Sequence, residues 1–125
     1  MDLDLPTINA FLCCMGVKQD VLSKNYELAG IFQGFGSPGY PLVAEFATFC
    51  RLAYEGTAEF KIDISFYDGK GEKISDSTPR NVIFGEMPTN DLVTAWRIKF
   101  PEKGVYSFKV FCNNLNLGDF KIYCR

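Results

Sequence analysis

Apolar and polar residues alternate with period two along most of the chain. Successive side chains of a strand point to opposite faces, so this alternation marks strands with one face buried. The clearest run covers residues 60–67. Phe60, Ile62, Ile64 and Phe66 share one face, and Lys61, Asp63 and Ser65 share the other. Asp68-Gly69-Lys70-Gly71 follows and reads as a hairpin turn. Within residues 92–100, Trp96, Ile98 and Phe100 alternate with Ala95, Arg97 and Lys99, and Pro101-Glu102-Lys103-Gly104 then reads as a turn. Tyr106, Phe108, Val110 and Cys112 form the next inward series. After an Asn113-Asn114 turn, Phe120, Ile122 and Cys124 form the last. These three segments are expected to pair as consecutive antiparallel strands.

The first half of the chain is apolar in both phases. Residues 7–17 place Ile8, Ala10, Leu12 and Cys14 in one phase and Phe11, Cys13 and Met15 in the other. Residues 26–35 place Leu28 and Phe32 in one, and Ala29, Ile31 and Phe35 in the other. In residues 42–54, Phe46, Cys50, Leu52 and Tyr54 fall together, opposite Glu45, Ala47, Phe49 and Arg51. Ala, Leu and Glu there suit a helix, but Val, Thr, Phe and Tyr after a proline favour a strand. Residues 81–86 supply one more segment. The expectation is an all-β fold, an antiparallel two-sheet β-sandwich of about seven to eight strands, forming one domain over residues 1–125.

Composition adds constraints. The chain has 125 residues, 47% hydrophobic and 22% charged, which is enough to bury a core without a metal or disulfide. Twelve Phe and six Tyr lean toward sheet. Net charge is −2, and the basic residues Arg97, Lys99 and Lys103 are offset by Glu102 and read as a solvated strand face. No nucleic-acid partner and no membrane segment is therefore expected. The acidic opening Met1-Asp2-Leu3-Asp4 is unlike a secretory leader, and an odd number of cysteines, five, without framework spacing suits a reducing compartment. Cytoplasmic localisation is the expectation.

Candidate chemistry is sparse. With no histidine in the chain, Ser-His-Asp and Cys-His catalysis and His metal sites are excluded. Cys13 and Cys14 are adjacent, so on a strand they point to opposite faces and do not chelate one ion. Asp68-Gly69-Lys70-Gly71-Glu72, with Asp76 beyond, has the letters of a calcium loop without EF-hand spacing, and a hairpin turn explains its glycines. Gly34-Phe35-Gly36-Ser37-Pro38-Gly39 lacks the Lys and following helix of a phosphate loop. Asp63 alternates onto a solvated face, away from any carboxylate pair. No catalytic residue, metal or cofactor is assigned.

What remains is surface. In a two-layer sandwich only one face of each sheet is covered, so strands apolar on both faces need a second cover: a copy of the chain, a protein partner or a loop. Ile31, Phe35 and Tyr40 are the candidate protein-contact residues, the last two on the loop of residues 34–41.

Asn9-Ala10-Phe11-Leu12-Cys13-Cys14, Leu28-Ala29-Gly30-Ile31-Phe32 with the loop after it, residues 46–52, and Phe100-Pro101-Glu102-Lys103-Gly104-Val105-Tyr106-Ser107-Phe108 together span most of the chain. In their order they resemble a family of small uncharacterised bacterial β-sandwich proteins, a domain of unknown function. That resemblance implies the sandwich fold and no catalytic residue, cofactor or partner. The expected function is a non-catalytic binding or assembly module acting through protein–protein contacts. The alternative is a small-ligand carrier or carboxylate-based enzyme with a pocket between the sheets.

Overall fold

The computed structural model describes residues 4–125, so the reading of Met1-Asp2-Leu3 lies outside the described residues. Ten strands follow in order: β1 (Thr7–Gln19), β2 (Tyr26–Phe32), β3 (Gly34–Phe35), β4 (Leu42–Ala53), β5 (Ala58–Tyr67), β6 (Lys73–Asp76), β7 (Arg80–Phe84), β8 (Thr89–Phe100), β9 (Gly104–Cys112) and β10 (Leu115–Cys124). One sheet has the order β2-β1-β4-β8. The other runs β3-β10-β9-β5, with β6 and β7 sharing the far edge of β5. The chain is an all-β sandwich. All pairings are antiparallel except the short β3–β10 ladder.

The period-two residues fill the space between the sheets. Phe60, Ile62, Ile64 and Phe66 of β5, Trp96, Ile98 and Phe100 of β8, and Tyr106, Phe108, Val110 and Cys112 of β9 are all buried in one apolar cluster. Phe66, Phe84, Phe100 and Phe108 are its largest fully buried side chains. Each contributes roughly 1.5–3 kcal/mol by removal from water. The polar Thr48 lies among them and accepts a 2.9 Å hydrogen bond from the Trp96 indole, so neither group is unsatisfied.

Two expectations are corrected. β8 and β9 do not pair: β8 lies beside β4 in one sheet, and β9 lies between β10 and β5 in the other. The link between them crosses from sheet to sheet. Tyr106, just after this corner, donates its hydroxyl to the Glu102 carbonyl at 2.5 Å, a corner bond of the kind immunoglobulin-like sandwiches use. Among the described residues there are ten strands, because β3 and β6, with two and four residues, are too short for periodicity to show.

Part of the second apolar face of the first sheet is covered by its own chain, while Val43 on that face stays exposed. Cys14 and Phe49 point away from the main core yet are buried. Tyr26 stands opposite Gln19 across the β1–β2 ladder, whereas Phe49 stands opposite Leu12 across the β1–β4 ladder. A straight strand rising roughly 3.3 Å per residue would hold these positions far apart. The Tyr26 and Phe49 rings are nevertheless 5.6 Å apart, so β1 bends and lays the β1–β2 hairpin back over this face. Gly30 helps set the hairpin. Its φ is +66°, and a Cβ there would meet Met15 Cγ at 3.0 Å.

Candidate functional site

The three candidate contact residues part company in the structure. Phe35, on β3, is turned inward. Its ring lies 4.6 Å from Phe32, 5.8 Å from Phe46 and 5.5 Å from Phe100, closing one end of the core. β3 can approach β10 this closely only because its first residue is Gly34, where a Cβ would sit 2.0 Å from the Tyr123 carbonyl oxygen. Tyr40 packs on the same core and donates 2.9 Å to the Arg125 carbonyl. The loop of residues 34–41 therefore covers its own domain. Ile31 alone faces solvent, at 57% exposure on the edge strand β2.

Ile31 borders a groove where the two sheets meet along their open seam. β2 and β1 form one wall and β10 the other, enclosing about 350 Å3. Phe11, Phe32 and Phe120 make an aromatic floor, with Phe11 stacked on Phe120 at 4.4 Å. Lys121 and Asp119 of β10 and Gln33 supply polar groups at the rim. Tyr123, 47% exposed, stands at one end. The chain crosses from one sheet to the other at Gln33, whose carbonyl accepts from the Tyr123 N–H at 2.9 Å and fixes the rim. An apolar floor inside a polar rim is the arrangement that protein contact sites use.

The other candidate groups are bound into the fold. All five cysteines are free and buried. Cys13 faces the core, and burial together with the neighbouring Cys14 pushes its thiol up to about 12. Burial, then Asp91, raises Cys50 to about 12 as well. Such thiols stay protonated and unreactive at neutral pH. The Asp68 carboxylate accepts from the Lys70 and Glu72 backbone N–H groups at 2.8 and 2.9 Å, so it is committed to the hairpin turn. Among the described residues, no cluster of three or more His, Cys, Asp or Glu side chains is arranged to hold a metal.

The sequence profile of a family of unknown function, DUF6941, matches residues 9–125. The chain belongs to this family. No curated protein matches this DUF6941 chain. Among solved structures, it is similar to the alkylpurine DNA glycosylase AlkC of Pseudomonas fluorescens bound to DNA containing an abasic-site analog, with TM-score 0.52 and 10% identity. That likeness covers 74% of this chain and 28% of the glycosylase, and at such identity it shows the fold alone. An immunoglobulin-like protein from Pseudomonas aeruginosa (TM-score 0.44, 14% identity, 97% of each chain) is also similar. So is a CARDB domain of Pyrococcus furiosus in complex with two metal ions (TM-score 0.45, 11% identity, 99% of this chain and 97% of that one).

The alternation near the C-terminus already put Tyr123 outward and Phe120 inward. What the sequence leaves out is that β10 borders β1 and β2 across the seam. The groove could be found only with strand order in hand.

Proposed function

We propose that this chain is a non-catalytic binding or assembly module, acting in the cytoplasm through protein–protein contacts made by the seam groove. The observation that carries this reading is the exposed pair Ile31 and Tyr123 flanking a floor of three phenylalanines. An apolar or aromatic side chain from a partner would bury its surface on that floor while the polar rim stays wet. An odd number of cysteines, five, without framework spacing supports the reducing location.

The same groove supports a second reading. About 350 Å3 is at the lower end of the range that takes small ligands. Its Phe and Tyr lining with a few polar groups is the form expected of a small-ligand carrier. Asp119 is the one carboxylate in the lining, and it accepts from Asn116 at 3.0 Å, which favours carriage over acid–base chemistry. Native mass spectrometry of the protein purified under reducing conditions separates the two. A protein complex or a multiple of the chain supports the module. A monomer with a small added mass supports the carrier and overturns the first reading.

A further inference from the structure

β8 has a strand neighbour on one side only. It pairs with β4 along its whole length, from Thr89 opposite Ala53 to Phe100 opposite Leu42. Side-chain hydrogen bonds between β7 and β8 guard the first half of its other edge. Arg80 donates to the Val93 carbonyl at 2.9 Å and to the Thr94 hydroxyl, and Asn90 reaches back to the Ile83 carbonyl at 3.0 Å. In an antiparallel ladder a residue's N–H and C=O point to the same side, and successive residues alternate. Arg80 takes the Val93 carbonyl from the open side, so Ala95, Arg97 and Lys99 also turn their backbone groups outward. Cys14 agrees: its Sγ meets the Ala47 carbonyl at 3.7 Å on the β1 side, so Ala47 faces β1 and its β8 neighbour Ala95 faces away. Past Thr94, no side-chain hydrogen bond among the described residues closes this edge.

The side chains there carry one sign. Arg97 and Lys99 project from the outer face, since Trp96, Ile98 and Phe100 are buried. Arg97 has only a loose contact with Glu45, at 3.9 Å with both side chains about three-quarters exposed. Lys99 has no salt bridge among the described residues. Two copies pairing antiparallel about this edge would set Arg97 and Lys99 against each other, which is unfavourable. An extended strand reading acid, apolar, acid would instead place its carboxylates beside both cations.

We propose that the open edge of β8 at Ala95, Arg97 and Lys99 accepts, by strand addition, an extended segment of a protein partner with acidic residues at alternate positions. The proposal rests on the binding-module reading but uses the opposite end of the sheet from the seam groove. Variants at the two surfaces therefore fail separately.

The test is fluorescence anisotropy with two labelled synthetic peptides, one with a Glu-Val-Glu-Val-Glu centre and one with Lys in place of Glu. The Glu peptide should bind the full chain saturably and the Lys peptide should not. Arg97→Glu with Lys99→Glu should weaken the Glu peptide about tenfold or more and admit the Lys peptide. Ala95→Pro removes an N–H that faces solvent, so the sheet keeps its bonds, yet it should also weaken the Glu peptide. Circular dichroism confirms that the variants are folded. Ile31→Asp should leave peptide binding intact. No binding of the Glu peptide would mean that the cations only keep the edge unpaired. Binding unchanged by Ala95→Pro would mean charge attraction without strand pairing. Either result overturns the proposal.

Discussion

The indole N–H of Trp96 on β8 donates to the hydroxyl of Thr48 on β4, 2.9 Å away and buried between the sheets. Thr48→Val keeps the shape and removes the acceptor, leaving a buried donor unpaired. The expected loss is about 1–3 kcal/mol. Urea denaturation should show a lower midpoint with an unchanged slope. Adding Trp96→Phe to that variant should cost less than it does in the wild type, because the unpaired donor goes with the indole.

Phe35 and Ile31 should respond in opposite ways. Phe35 touches Phe32, Phe46 and Phe100, so Phe35→Ala opens a cavity at the end of the core and should cost about 3 kcal/mol. Ile31 is exposed, and Ile31→Asp should change stability by no more than about 0.5 kcal/mol. Thermal unfolding of the two variants side by side measures the contrast.

The buried thiols predict a loss of stability in alkali. Burial raises Cys13 and Cys50 to about 12 in the folded chain, from 9.0 when free. The unfolded chain therefore gives up these protons first as pH rises. Stability from this source is complete below about pH 9 and falls between pH 9 and about 12. Denaturation midpoints across that range should decline, and a Cys13→Ala variant should decline less steeply. At neutral pH, a thiol reagent should modify the native protein only at its unfolding rate.

The alternation was informative wherever one face of a strand meets the core. Residues 60–67 and 106–112 could be assigned face by face, because each inward position is apolar and buried. The pattern fails where partner choice decides. Pro101 to Gly104 looks like a hairpin turn, but a short link serves equally well to cross between sheets, and no local feature separates the two. In β1, β2 and β4 the sequence showed apolar residues on both faces without showing what covers them. The cover is the bent β1–β2 hairpin, brought there by contacts such as Tyr26 on Phe49. Phe35 and Tyr40 stood among glycines and prolines, on a loop that the sequence left free either to fold onto its own domain or to make a contact. They are held inward by a two-residue strand and by a bond to the Arg125 carbonyl.

The proposal that the seam groove makes protein contacts can be tested in one experiment. Its most direct test is native mass spectrometry of the wild type beside Ile31→Asp, Tyr123→Asp and, as an exposed control on β7, Ile83→Asp. The complex seen with the wild type should be lost in the two groove variants and kept in the control, with all three folded. A complex that persists unchanged in both groove variants would contradict it.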